Sequence, residues 1–250
     1  MRTGSLLLIA AVFAAPLVVP GQVRRGDNPG ADNPGYSGQF IFTRIRYDSP
    51  GGWRFGRAGG SSWSHDYPRA DRHLPRILRG VTAIDAGVGG GNVLRLDDPE
   101  LFKFPVAYIS EPGFWAMTDR EAASLRAYLL KGGFIILDDF ENEQWHNMEA
   151  QLRRVLPERR LIAIDAGHPI FHAFFEMKTI YFPHPLVPVT PSYFGLFEHD
   201  DPAGRMLAIV NYNNDIAEYW EWSDTGWLPI DVTNEAYKLG VNYIVYAMTH

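Results

Sequence analysis

The stretch TDREAASLRAYLLKGGFIILDDF, residues 118–140, holds a helix start, a helix stop, a buried strand and a pair of acids. Thr118 and Glu121 form a capping box, in which the hydroxyl and the carboxylate each satisfy a backbone N–H at the helix start. Ala122, Leu125, Tyr128 and Leu129 recur at helical spacing and make the buried stripe, and Gly132 stops the helix. The run Phe134–Leu137 has no polar alternation, as expected of a parallel strand covered on both faces. Such a strand ends on Asp138 and Asp139, and an open parallel sheet binds its ligands beyond the carboxyl ends of its strands.

Working outward, QFIFTRIRY (39–47) alternates as a strand, and NVLRL and VAYIS are the next strands before the capped helix. After the double aspartate a second helix follows, with Asn142 as N-cap and Trp145, Met148, Leu152 and Val155 as its stripe. RRLIAI is strand-like again. Strand, helix, strand, helix, strand with short connections is the pattern of a parallel sheet with right-handed crossovers. YFGLFEH and RMLAIVNYN, joined by the turn DDPAG, read as an antiparallel hairpin at one edge. A closing helix over 233–248 presents Tyr237, Val241, Ile244, Val245 and Met248 to the core. In RADRHLPRILRGVTAI, Arg69, Arg72, Arg76 and Arg79 recur at helical spacing, and Pro75 predicts a break. The expected fold is α/β and three-layer, a mostly parallel sheet flanked by helices with an antiparallel edge hairpin.

Residues 1–22 have the pattern of a secretory signal, with Arg2 ahead of the apolar run Leu6–Ala15 and a cut near Gln22. The apolar stretch is shorter than the roughly 20 residues of a spanning helix, and an uncleaved anchor is the alternative. Residues 23–38 repeat DNPG and read as a flexible tether, leaving 39–250 as a single α/β domain. The expected location is therefore periplasmic or extracellular. The chain has 23 basic and 29 acidic residues, and without residues 1–21, which contain Arg2 and no acid, the charge of −6 becomes −7. Mild acidity argues against a nucleic-acid partner. With no cysteine, disulfides, thiolate metal sites and a cysteine nucleophile are excluded.

Alternation along a strand sends Asp138 and Asp139 to opposite faces. One is expected to face the crevice, and Asp138 is favoured for it. The other is expected to cap or receive the next helix, whose N-terminus favours a carboxylate. His146 falls in the first turns of the helix after Asn142, near the same crevice. His168 precedes Pro169 and reads as an N-cap, and its HxxxH spacing with His172 lacks the HExxH pattern of zinc sites. Asp138, Asp139, His146 and His168 are thus the catalytic candidates. Arg44 and Arg46 on one strand, Trp53 in the glycine-rich loop that follows, Asp138, Asp139 and His168 are the binding candidates. No metal or cofactor is expected. NYNNDIAEYWEW (211–222) has the amides, acids and aromatics that stack on sugars, and equally those of an aromatic core. GVGGGN (87–92) lacks the strand-then-helix context of a nucleotide loop and reads as a turn.

FTRIRYDSPGGW, ELFKFPVAYISEPGFW, residues 118–140, HPIFHAFF, GRMLAIVNYNNDIAEYWE and YKLGVNYIVYAMTH together resemble the bacterial family called domain of unknown function 4159. The resemblance implies a fold similar to class I glutamine amidotransferase-like domains. It also implies export or membrane tethering, and genes neighbouring MoxR-type ATPases and von Willebrand factor A domain proteins. No activity comes with it. In amidotransferase-like domains the matching helix-strand unit ends on a nucleophilic cysteine, whereas this one ends on Asp138-Asp139-Phe140. Two functions follow as expectations. One is an exported, non-catalytic binding or assembly module of the cell envelope, with a protein, glycan or small-molecule partner. The other is a hydrolase of a glycan or other envelope compound that uses Asp138 or Asp139 with His146.

The leader generates the first prediction. N-terminal sequencing of exported protein should begin near Gln22 or Val23, and an intact Met1 on membrane-bound material would establish an anchor instead.

Overall fold

The helix-strand unit at residues 118–140 forms as the sequence predicts, and the rest of the chain is built around it. The computed structural model describes residues 33–49, 54–55 and 60–250. The leader, most of the tether and Trp53 lie outside the described residues. In chain order the elements are β1 (Thr43–Ile45), the small antiparallel pair β2 (Arg54–Phe55) and β3 (Gly60–Ser61), α1 (Ala70–Val81), β4 (Asn92–Leu94), β5 (Val106–Ser110) and α2 (Asp119–Leu130). There follow β6 (Phe134–Phe140), α3 (Gln144–Val155), β7 (Leu161–Ile164), β8 (Ser192–Phe197), β9 (Met206–Tyr212), α4 (Ile216–Glu221) and α5 (Ile230–Thr249).

The seven-stranded sheet runs in the order β4-β1-β5-β6-β9-β8-β7. The first five are mutually parallel, and β8 runs antiparallel to both β9 and β7. Alternation divides the core in two. Phe42, Tyr108, Ile136 and Ile209 face Leu74 and Leu78 of α1, Trp220 of α4 and Tyr243 of α5. Ile45, Ile109, Ile135, Leu137 and Val210 face Leu125 and Leu129 of α2 and Met148 and Leu152 of α3. The result is a three-layer, mostly parallel α/β fold of the flavodoxin and class I amidotransferase-like kind, with an antiparallel edge. Among the described residues no helix is long and apolar enough to cross a membrane.

Several expectations change. The strand RRLIAI does not follow β6 in the sheet. It pairs with β8 at the far edge, and the hairpin strand β9 takes the central place beside β6. Burial accounts for the exchange, since six of the seven residues of β9 are buried while β7 is only partly covered. Pro75 sits inside an unbroken α1, despite the roughly 3 kcal/mol a mid-helix proline costs in isolation. Leu74, Pro75 and Leu78 are all buried there. Arg72, Arg76 and Arg79 of the arginine stripe are solvated, as their spacing allows. Asn142 does not cap α3. It adopts a left-handed conformation in the turn, and its N–H donates to Asn213 Oδ1. The last helix begins earlier than expected, at Ile230, and its Met248 is 46% exposed.

At the start of α2 the Glu121 N–H donates to Thr118 Oγ1 (3.2 Å), and the Thr118 N–H donates to Glu121 Oε2 (2.9 Å). At its end Gly132 has φ +110°, and a Cβ on Gly133 would lie 2.5 Å from the Tyr128 ring. These two glycines let the chain reverse directly into β6. Thr118→Ala should cost about 1 kcal/mol in urea denaturation. A neutral result would mean that the cap does not hold the helix that delivers β6.

Candidate active site at the carboxyl end of the sheet

Asp138 continues the face of β6 that carries Ile136, toward α1, α4 and α5. Its Oδ1 accepts from Asn211 Nδ2 (2.9 Å), and its Oδ2 accepts from the Tyr108 hydroxyl (3.0 Å) and the N–H groups of Ile216 and Ala217 (3.1 Å each). It is therefore the member that receives a helix, but the helix is α4, which follows β9 much further along the chain, and not α3. Burial pushes its carboxyl up to about 7, with the bond from Asn211 opposing.

Asp139, and not the Asp138 that the sequence favoured for the crevice, is the member that joins a cluster of acids and histidines at the strand end. The ladder between β6 and β9 is irregular between Leu137 and Phe140, and Asp139 has φ +63°. A bulge and a left-handed residue re-aim the side chain, and such strain collects at functional sites. Asp139 Oδ2 meets His65 Nδ1 at 2.6 Å and accepts from Ser110 Oγ at 3.1 Å. Its side chain keeps 7% of its exposure.

Four other segments converge on Asp139. His65 and Asp66 end the loop before α1, Glu111 follows β5, Asp215 and Glu218 begin α4, and His184 comes from the segment before β8. Side-chain ligand atoms of His65, Asp66, Asp215 and Glu218 lie within 4.8 Å of one another. The same holds for His65, Glu111 and Asp139, and for Asp139, His184 and Asp215. Asp66 (φ 63°) and Glu111 (φ 47°) share the left-handed backbone of Asp139. Asp66 Oδ1 and Oδ2, Glu111 Oε2, Asp215 Oδ2 and Glu218 Oε2 are buried without a hydrogen-bond partner among the described residues.

The electrostatics follow from crowding acids in a buried place. Burial disfavours a charged His65, but the charges of Asp66 and Asp139 outweigh it and hold the imidazole well above its ordinary value. Burial would raise Asp139, yet the His65 charge and hydrogen bond keep it below the usual carboxylate range. Glu111 is pushed up to about 9 by burial and then by Asp139. Glu218 is pushed up to about 9 by burial and then by Asp66. Asp215 is raised well above its ordinary value by burial and by Asp139.

The remaining sequence candidates lie elsewhere or act differently. Arg44 is fully buried and pairs with Asp71 (Nη2–Oδ1 2.6 Å). It also donates to the carbonyls of Trp63 (3.1 Å) and His65 (2.8 Å), so it positions the His65 segment. Arg46 is half-buried, and its N–H bonds the Leu94 carbonyl at the β4 side of the sheet. His146 is 77% exposed on α3 and faces Glu143. His168 is the N-cap of a short turn, accepting from the Ile170 N–H, and its Nε2 lies 3.2 Å from the Pro202 carbonyl. Pro202 is in the β8–β9 turn, at the opposite end of the sheet from Asp139. A cavity of about 650 Å³ opens there beside His168, Arg205 and His250, but no cluster of converging acids lines it. His172 turns to Glu176. Within NYNNDIAEYWEW, Tyr219 and Trp220 are core residues and Asp215 and Glu218 join the site.

Sequence reasoning missed His65, Asp66, Glu111, His184, Asp215 and Glu218. Two signals were present. His-Asp closes a glycine-rich loop just before a helix, and Glu111 directly follows the buried β5 as Asp138-Asp139 follows the apolar run that opens β6. The protein is thus an amidotransferase-like α/β domain carrying an acidic, histidine-containing centre at its strand ends. Its sequence matches the family model described as Domain of unknown function (DUF4159) over residues 42–248, and the chain belongs to that family. No curated protein matches the chain.

The two aspartates should respond differently to substitution. In Asp138→Asn the new amide would point N–H groups at donors already there, leaving buried groups unpaired, so the change should cost about 2 kcal/mol in urea denaturation. Asp139→Asn keeps an acceptor for His65 and Ser110 and loses only the charge that His65 favours, so it should cost about 1 kcal/mol, less than Asp138→Asn. The opposite ranking would give Asp139 the structural role.

Proposed function

We propose that the protein is a hydrolase whose reactive group is Asp139. The observation that carries this reading is the geometry of that one carboxylate. It stands on a left-handed residue at the end of the central strand, with Oδ2 held by His65 and Ser110 and Oδ1 in no hydrogen bond among the described residues. A carboxylate held by one oxygen and offering the other is placed to take a proton from water at the free oxygen. Asp139 takes a proton from water as that water attacks the substrate, and His65 stabilises the carboxylate in position. Glu111, grouped with both and with Oε2 unpartnered, is the acid placed to protonate the leaving oxygen. His65 thereby fills the part that the sequence alone assigned to His146.

A centre this rich in acids disfavours anionic substrates and suits neutral, hydroxyl-bearing ones. Together with the leader read at residues 1–22, this supports a glycan or a related envelope compound. The test is turnover of envelope glycan fragments and of neutral glycoside, ester and amide panels by the purified full chain. Wild type should hydrolyse at least one class, and Asp139→Asn should lower kcat by on the order of 10²–10⁴-fold. Thr118→Ala should leave kcat unchanged. Folded wild type that turns over none of these, yet captures an envelope protein, would replace the hydrolase by an assembly module.

A further inference from the structure

The acids beside Asp139 form a site that the hydrolytic reading does not need. Asp66 ends the loop before α1, and Asp215 and Glu218 occupy the first turn of α4. Asp215 spends Oδ1 on the Glu218 N–H, as an N-cap does, and its Oδ2 accepts no hydrogen bond among the described residues. Among the described residues, both oxygens of Asp66 and Oε2 of Glu218 likewise accept no hydrogen bond, and Asp66 Oδ1 lies 3.7 Å from His65 Nδ1. All three residues are more than nine-tenths buried, with exposures of 2%, 0% and 4% for Asp66, Asp215 and Glu218. Carboxylate oxygens so deeply buried are costly unless the group keeps its proton or a positive charge meets them, and one histidine cannot serve three acids. Arg44 is the one buried guanidinium among the described residues, and it is committed to Asp71 and two carbonyls. With His65, the ligand atoms of these acids lie within 4.8 Å of one another. Two ligands across an ion with bonds of about 2.2 Å stand roughly 4.4 Å apart, so the four groups enclose a sphere of one cation's size.

We infer that His65, Asp66, Asp215 and Glu218 hold one divalent first-row cation, of the Mn²⁺ or Zn²⁺ kind. Three carboxylates supply hard oxygen ligands, and the imidazole favours a transition ion over Mg²⁺ or Ca²⁺. Asp139, bonded to the His65 ring at 2.6 Å, is the outer carboxylate that orients a ligating histidine. The site joins the loop before α1 to the start of α4, so the cation ties these two segments together beside the contact that Arg69 makes with the Glu221 carbonyl. When bound, it supplies a Lewis acid beside Asp139.

The experiment uses the full chain, freed of metal by chelator and dialysis and then titrated with Mn²⁺ by electron paramagnetic resonance and with Zn²⁺ by calorimetry. Binding of one equivalent of either ion, with a rise in Tm, is the expected result. Asp66→Asn and Glu218→Gln should each weaken it by on the order of 100-fold, because each removes a direct ligand. Each also removes a buried acid, so the metal-free variants should keep the far-ultraviolet circular dichroism of wild type. Glu176→Gln, far from the centre, should bind as wild type does. Folded wild type that binds neither ion overturns the inference, as does unchanged binding in a folded Asp66→Asn, Glu218→Gln double variant. The readout is stoichiometric binding, so failure to find a substrate for Asp139 does not bear on it.

Discussion

The carboxylate of Asp138 is where the sheet and the helix that completes the centre are joined. It collects the Tyr108 hydroxyl from β5, the Asn211 amide from β9 and the first two N–H groups of α4. Three elements are thereby referenced to one buried residue of β6. The dipole of so short a helix is small, but its unpaired N–H groups are real donors that must be satisfied in the interior. With α4 docked in this way, Asp215 and Glu218 lie at the end of β6 and not in solvent. A second buried anchor, the Arg44–Asp71 pair, does the same for the opposite wall. Its guanidinium holds the carbonyls of Trp63 and His65 and so aims the loop that carries His65 and Asp66.

Those anchors explain how three acids remain in left-handed backbone. Asp66, Glu111 and Asp139 each forgo about 1 kcal/mol relative to ordinary conformations. Each is constrained by bonds on its main chain or its neighbour's. The Asp66 carbonyl accepts from the Ala70 N–H, and the Glu111 carbonyl accepts from the Tyr47 hydroxyl. The Glu111 N–H donates to the Asp138 carbonyl, which locks the end of β5 to the end of β6. The strain is therefore imposed by the frame, and its effect is to turn three carboxyls toward one place.

Crowding splits the acids chemically. Asp139, with an imidazole on one oxygen, stays below the usual carboxylate range, while Glu111 and Glu218 are driven up to about 9. Neighbouring groups pushed apart in this way are what acid–base chemistry uses. They also gather carboxyl oxygens that a cation would bind in place of the protons. Asp138, a single residue away in sequence, is saturated with donors and serves structure.

Much of the architecture was legible in the chain because its signals are local. A capping box, a glycine pair and an unbroken apolar run specify α2 and β6 within a few residues, and the turn DDPAG specifies the β8–β9 hairpin in the same way. The position of the centre was legible too, since a parallel strand ends where ligands bind. Its membership was not. His65, Glu111, Asp139 and Asp215 come from four separate segments, and strand order brings them together, with β9 and not β7 beside β6. Which aspartate joins the cluster depended on a bulge and one left-handed residue, and neither leaves a mark in hydrophobic periodicity. His146 and His168 were plausible by sequence distance alone, yet one points to solvent and the other caps a turn at the far end of the sheet. Periodicity and caps act over a few residues and can be read in order along the chain, whereas a site assembled from distant segments exists only once the sheet has set their neighbours.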